Sequence, residues 1–435
     1  MTRAGFFPCA IVGGVADCRA VARRPPAPSA ADRAVTPEDR RAALAGSRDL
    51  VERHLARLAA VPVHGNRTLG FDQLVRGLLL AFYDPLCRSL RLIEGRGDFG
   101  GRLDLARLAR STTSDALAAF DPNLLKPLVD DLVARVPDLR QADPDLAAIA
   151  RRIVAADGTY LTTLADVAWA LKHTKSDGRA QGQVRANVQL DVATWCPLVV
   201  TLSGDDGESE PAAFARDLLS GVLYVVDRNF VDFAFLRAVL DKGNDVVVRV
   251  KHNAPSPAVT RALPLTPEDV AAGVASDRAV TLPGRGAPPG EFRLVTVQTT
   301  NRRGAPETVR LLTNLAAGAA AARVVAAVYR LRWQIELFFK WLKCWARADH
   351  LLSASRNGVT TQLYVAVIAV LTMYAQSGRR VSIYALQVLS YVARGEMTIE
   401  RALAVLARRE RERTLGRARQ ARKRAAAAAA AKKSE

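Results

Sequence analysis

The sequence has no C-x-x-C pair, no H-E-x-x-H and no apolar run of membrane-spanning length, and each absence removes a class of function. Its five cysteines (Cys9, Cys18, Cys87, Cys196, Cys344) are an odd, scattered set, against a disulfide scaffold or thiolate zinc site and in keeping with a reducing cytoplasm. The five histidines (His54, His64, His173, His252, His350) show no metal-ligand spacing, and His173 and His252, beside core segments, read as structural. The longest apolar run, Leu363–Ala375, is interrupted by Thr372 and falls short of the roughly 20 residues a bilayer requires. It reads as a buried core helix, with no membrane partner. Acidic residues are scarce too: 43 Asp+Glu face 62 Lys+Arg over 435 residues, a formal charge of +19. Such an excess points to a polyanion, nucleic acid first. With 49% apolar and 24% charged residues, the chain is globular in composition rather than wholly disordered.

No internal repeat is visible, but the chain changes character along its length. Residues 1–45, rich in Pro, Ala and Arg, are expected to be disordered or a misannotated start. Gly5–Ala16 after Arg3 resembles a weak signal peptide, interrupted by Pro8 and glycines. Residues 46–150 read as helices: Asp49–Ala59, Gly70–Phe82, Leu103–Ala109, Ser114–Ala119 and Leu124–Val136. Leu103–Arg110, the polar Ser111–Ser114 and the next segment suit a helix-turn-helix with Arg107 and Arg110 on phosphate, or an ordinary αα-hairpin. Gly95–Gly100 formally matches G-x-G-x-x-G, but Asp98 would repel a pyrophosphate and no further βαβ unit follows.

From residue 151 the pattern becomes α/β, with strand-like runs Ile153–Ala156, Val184–Val192, Leu198–Leu202, Leu223–Val226 and Val246–Val250 and a helix at Val231–Leu240. A Pro- and Gly-rich stretch with weaker strand signals follows, and then long helical patterns over Ala316–Arg347 and Val359–Gln376. Further helices are expected at Ser382–Arg394 and Thr398–Glu412, within a C-terminal helical region over 351–412. From Arg401 onward, 12 Lys+Arg face three Glu, and residues 413–435 read as a basic disordered tail.

The densest chemistry lies in Tyr329–Lys343. At 100° per residue, Tyr329, Arg332, Glu336 and Lys343 fall within a sector about 60° wide, opposite a stripe of Leu331, Ile335, Phe338, Leu342 and Trp345. Arg and Lys can pair with phosphate oxygens and a carboxylate can hold a metal, so this row suits a phosphodiester. The plainer alternative is a solvated face stitched by i,i+4 pairs such as Arg332–Glu336. Asp157 and Asp227 each follow four apolar, strand-like residues. Each is expected to emerge at the C-terminal end of its strand, outside which α/β sheets bind ligands. Glu208 and Glu210 follow a Gly/Asp-rich turn and read as a helix N-terminal cluster rather than catalytic groups.

The spacing Y-(2)-R-(3)-E-(6)-K, realised by Tyr329, Arg332, Glu336 and Lys343, resembles the signature of the IS-four family of bacterial DDE transposases. Ile153–Thr159 resembles that family's first strand-Asp segment and Leu223–Phe230 its second, with Asn229 and Phe230 in place of the usual Gly and Tyr. Val309–Leu315 resembles the strand leading back to the Glu helix, so the likeness spans about 150–350 in the right order.

The resemblance implies an α/β fold: an RNase H-like catalytic core over 151–350 with a β-rich insertion at about 253–315, flanked by helical N- and C-terminal regions. It implies Asp157, Asp227 and Glu336 as ligands of Mg²⁺, two ions being expected and Mn²⁺ an alternative. Tyr329, Arg332 and Lys343 would contact phosphate. Arg228 would touch DNA, position Asp227 or form a turn salt bridge. The implied activity is metal-dependent cleavage of transposon ends and their joining to target DNA, by a cytoplasmic, nucleoid-associated homodimer. A catalytically inactive DNA-binding relative and a nuclease without strand transfer are the alternatives. Some members use an insertion Trp to receive a flipped base; residues 253–332 contain none.

Overall fold

The computed structural model describes residues 49–431 apart from 64–67, 84–86, 88, 96–107, 136–145, 147–148, 164–166, 168, 175–179, 205–206, 252–256, 301–304, 345–350, 378–382 and 394–395. The N-terminal helices are α1 (49–59), α2 (Phe71–Tyr83), α3 (Leu90–Gly95), α4 (Arg110–Ala119) and α5 (Lys126–Arg135). Phe71 on α2 stacks on Phe120 just after α4, with ring centroids 4.6 Å apart. The buried His54 ring on α1 meets Asp131 Oδ2 on α5 at 2.7 Å.

The helix-turn-helix expectation meets a different arrangement. Ser111–Ser114 is the first part of α4 itself: Thr113 is buried, and its hydroxyl is taken up by the carbonyl one turn back, Ala109 O at 2.8 Å, instead of capping a second helix. Arg110 is exposed at the start of α4, while Arg107, the segment before it and the Arg96–Gly100 part of the glycine motif lie outside the described residues.

The central sheet takes strands β1 (Ile153–Thr163), β2 (Leu171–Thr174), β3 (Ala180–Asp191), β4 (Cys196–Ser203), β5 (Leu223–Val226) and β6 (Asp245–Arg249). β7 (Ala258–Leu263), β8 (Val274–Thr281), β9 (Phe292–Thr300) and β10 (Pro306–Thr313) complete it. The order is β2-β3-β1-β5-β6-β10-β9-β8-β7, with β4 also pairing β3. β1 runs antiparallel to β3 and parallel to β5, and β5 parallel to β6. The four strands in the region expected as the β-rich insertion continue the same sheet, β10 pairing antiparallel with β6.

Burial on both faces explains the continuous apolar runs of the inner strands. Ile153, Ala155, Leu223, Val225 and Val247 join one cluster; the alternate residues Val154, Ala156, Tyr224, Val226, Val246 and Val248 join the other. Helices α6 (Glu210–Arg216) and α7 (Phe233–Asp241) cover the second face through Phe214, Phe235, Leu236 and Val239. The first face packs against the N-terminal helices and three helices between 322 and 377, labelled below.

Only a five-residue helix, α8 (Pro267–Ala271), interrupts the later strands among the described residues. The single helix expected over Ala316–Arg347 is divided into α9 (Ala322–Leu331) and α10 (Trp333–Cys344), with a turn at Arg332. Residues 345–350, including Trp345, lie outside the described residues. α11 (Arg356–Ser377) contains the apolar run found in the sequence, and is long and apolar enough to cross a membrane. Its Val359, Leu363, Val365, Ile368 and Leu371 are instead buried with the N-terminal helices and β4. α12 (Ile383–Ala393) and α13 (Ile399–Ala431) end the described chain. Residues 413–431, expected as a disordered tail, are the second half of α13. Ala, Arg, Leu and Gln are strong helix formers, and Arg408 pairs with Glu412 one turn on at 3.1 Å.

Arg293 on β9 ties the outer strands to the helices that follow. Its guanidinium pairs with Asp277 on β8 and donates to Leu315 O at 3.2 Å and Ala320 O at 2.7 Å, with both side chains almost wholly buried. Arg293→Met would leave a buried carboxylate unpaired and should cost about 3–5 kcal/mol. The urea midpoint should fall accordingly and largely recover in Arg293→Met/Asp277→Leu; an unchanged midpoint in the single variant would contradict this account.

Candidate active site

Asp157 does not end its strand, as the sequence had suggested. β1 continues to Thr163 because β3 pairs it throughout, Asp157 facing Val188. The neighbour that stops is β5, whose parallel pairing with β1 ends at Ala155–Val225. The sheet therefore opens on one side of β1 at Asp157, and groups from both faces can converge there.

Strand parity sets what arrives from each face. Ala155 belongs to the cluster that includes Ile335 and Phe338 of α10, so Asp157, two residues on, points to the same side. There Arg332 Nη1 donates to Asp157 Oδ2 at 3.3 Å, while Arg332 Nη2 pairs with Glu336 Oε1. One guanidinium bridges two carboxylates carried by different elements. Arg332 reaches both from the turn between α9 and α10, where its backbone remains αR. Ile335, Phe338 and Leu342 are buried as the helical period requires, while Tyr329, Arg332, Glu336 and Lys343 are half-buried.

Helix α10 is held by a residue the sequence reading did not single out. Trp195, between β3 and β4, donates its indole N–H to Gln334 O at 3.2 Å. Its ring meets Phe338 and Trp341 edge-on, with centroids 5.7 and 6.4 Å away. Its φ of 62° is left-handed, a conformation that a bulky residue adopts only when packing enforces it. No motif signals this role; it emerges only from the fold.

Asp227 follows β5 and caps a short 3₁₀ turn, Arg228–Phe230, its Oδ1 accepting from Asn229 N at 2.7 Å. Arg228 is exposed on this turn. The Asp227 charge acts on Asp157, Glu210 and Tyr329. Burial raises the Tyr329 phenol, opposed by Arg332 and Arg249 beside it. Glu210, dismissed from sequence as a helix-start residue, arrives from the opposite face on α6. The local signal was its position after Ser209, whose hydroxyl caps α6, and that cannot tell a helix start from a site.

Two of these carboxyls, Asp157 and Glu210, are raised. Burial, and then the charge of Glu210, push Asp157 up to about 7 against the opposing pull of Arg332, with Asp227 adding to the rise. Burial also raises Glu210. Among the described residues, no three His, Cys, Asp or Glu side chains are grouped as a metal-ion cage in this conformation, in which Arg332 stands between Asp157 and Glu336. Asp157, Asp227, Glu336, Arg332 and Tyr329 are thus assembled around one opening. Lys343 stands two turns beyond Glu336, in the last turn of α10, and Arg110 belongs to the N-terminal helices.

The family model described as Transposase DDE domain matches residues 148–372, which contain all of these groups except Arg110. "Putative transposase y4zB" of Sinorhizobium fredii is 30% identical over 199 residues, covering 45% of this chain and 53% of that protein. "Probable transposase for insertion sequence element IS5377" of Geobacillus stearothermophilus is 33% identical over 89 residues, 20% of this chain and 23% of that protein. The chain thus spans about half or less of the length of the curated relatives it matches. Among solved structures, a piggyBac transposase synaptic complex with hairpin DNA aligns over 81% of this chain and 80% of its own, at 10% identity and a TM-score of 0.37.

The raised carboxyls give a pH test. A carboxyl raised in the folded state keeps a proton that the unfolded chain releases. Its stabilising contribution is complete below the ordinary Asp value of 3.8 and fades as pH rises towards about 7. In EDTA, urea midpoints should therefore fall between pH 4 and pH 7 on account of this group, and Asp157→Asn should flatten the slope. An equal slope in wild type and variant would show that Asp157 is not the group responsible.

Proposed function

The chain belongs to the Transposase DDE domain family, and from that premise we propose that it is a DNA transposase that cleaves transposon ends and joins them to target DNA. The observation that carries this reading is the Arg332 bridge between Asp157 and Glu336 at the sheet opening beside Asp227. We read the core as RNase H-like: β4-β3-β1-β5-β6 combines an antiparallel three-strand meander with two parallel additions. The row Tyr329, Arg332, Glu336 and Lys343 supports placement in the IS-four family. Residues 46–150 are the proposed DNA-recognition domain, 351–412 a helical C-terminal region, and the basic residues of α13 a salt-sensitive nonspecific DNA contact.

Divalent-metal dependence goes with the family, and the donor chemistry here fits it. Asp157, Asp227 and Glu336 offer only hard oxygen donors, and burial, followed by the charge of Glu210, raises Asp157 even with Arg332 in place. These three would hold Mg²⁺, two ions in our reading, with Mn²⁺ as a substitute. Bound there, the metal supplies Lewis-acid stabilisation of the attacking and leaving oxygens of a phosphodiester.

The protein's own residues do the rest. Trp195 and the buried face of α10 fix where Glu336 sits, and Arg332 orients both carboxylates through one rigid guanidinium. Arg332 and Lys343 offer donors to phosphate oxygens, and the Tyr329 phenol, kept protonated by its burial, remains a hydrogen-bond donor. Arg228, exposed at the end of β5, extends this basic lining towards the DNA. Two subunits pairing two transposon ends, in the cytoplasm at the nucleoid, complete the reading.

Incubating the full chain with Mg²⁺ and DNA bearing the element's terminal inverted repeats tests the proposal. Wild type should give both cut ends and joined products, whereas Asp157→Asn, Asp227→Asn and Glu336→Gln should each lose about two orders of magnitude or more in rate while still binding DNA. Unchanged cutting in Glu336→Gln would sink the site assignment, and cutting without joining would reduce the protein to a nuclease.

A further inference from the structure

Position 158 is glycine for a spatial reason. A Cβ built there would lie 2.5 Å from Oε1 of Glu210 and 3.0 Å from Cδ of Arg185. No larger residue fits without moving Glu210, so the glycine after Asp157 makes room for a carboxylate arriving through the sheet opening. The Gly158 amide donates to Asp157 Oδ1 at 2.9 Å and also lies in reach of the Glu210 carboxylate, so two acids converge on one N–H.

Glu210 is only partly compensated in this position. Its Oε1 is buried and, among the described residues, has no hydrogen-bond partner of ordinary geometry, the nearby Gly158 amide donating to Asp157 Oδ1. The charge of Arg185 opposes the effect of burial on Glu210, while its guanidinium donates from Nε to Asn187 Oδ1 at 2.9 Å and from Nη2 to Glu208 O at 3.2 Å. Arg332 serves Asp157 and Glu336 on the other face. A buried carboxylate oxygen without a donor costs free energy unless a ligand satisfies it.

We propose that Glu210 is a fourth carboxylate of the metal centre, reaching the cation from the α6 face beside Asp157 and Asp227. The inference rests on the metal-dependent reading above and deepens it. It assigns the unsatisfied Oε1 to the ion or to its bound water, and explains why a glutamate is tolerated against two aspartates.

Mn²⁺ binding to the full chain, followed by the paramagnetic resonance of free Mn²⁺ without DNA, separates the possibilities. Glu210→Gln, close to isosteric, should weaken Mn²⁺ binding about tenfold or more, the scale on which even indirect partners of a metal act. Glu210→Asp keeps the charge but withdraws the oxygens by one methylene, and it should also weaken binding. Wild-type affinity in Glu210→Asp would reduce Glu210 to a diffuse charge or a packing residue and overturn the proposal. Wild-type affinity in Asp227→Asn would instead overturn the underlying metal-site reading, whatever Glu210 does. The Mn²⁺-induced rise in melting temperature supplies a second readout that also reports whether each variant is folded: it should shrink in both Glu210 variants, and a full-sized rise in both would count against the proposal.

Discussion

Crowding of negative charge at the open end of β1 is the constraint on which the rest of the site depends. Burial first, and then the charges of Glu210 and Asp227, raise Asp157 to about 7 and keep it from ionising freely. The fold answers with one cation, Arg332, whose planar fork reaches Asp157 and Glu336 together. A lysine could not do the same, because a point charge has no fixed pair of donors to span two carboxylates. The division of the long helix at Arg332 belongs to this arrangement, since the bridging residue occupies the turn between α9 and α10.

That bridge needs rigid supports on both sides. On the strand side, β3 pairs β1 beyond Asp157, so the aspartate sits on a fixed ladder rather than a loose strand end. On the helix side, Trp195 is locked in a left-handed conformation and bonds the backbone beside Glu336. Arg293 and Asp277 hold the outer strands to the segment entering α9. Each support is distant in sequence from what it holds, so the site is a product of the whole 150–350 region rather than of one motif.

Much of this was legible in the sequence because periodicity reports burial directly. The inner strands appeared as uninterrupted apolar runs since both sheet faces are covered, and the α10 stripe appeared at helical spacing since one face is buried. Tyr329, Arg332 and Glu336 were legible as a row for the same reason. The end of β1 was misplaced because Asp157-Gly158-Thr159 reads locally as a turn, and only pairing with β3 overrides that. The polar Ser111–Ser114 misled similarly, its hydroxyl chemistry serving a helix interior through Thr113 rather than a cap. Weak strands such as β2 and β7 carry little apolar signal and owe their conformation to pairing.

Glu210 marks where local reading stops. Beside Ser209 and Pro211, every neighbouring residue explains it as the start of a helix, and that explanation is correct as far as it goes. What sequence cannot display is that α6 and α10 pack on opposite faces of the sheet, yet both reach the same gap where β5 ends. The gap lets a side chain from each face approach Asp157, and Gly158 keeps one of the two routes clear. A helix-start glutamate and a strand-following glycine, each ordinary alone, therefore constrain one another across 52 positions of chain. Against the single guanidinium of Arg332, the three acids already leave an excess of negative charge. A fourth acid adds to that excess, which Arg185 offsets in part and the raised proton affinity of Asp157 and Glu210 relieves further; a cation from outside would complete the site.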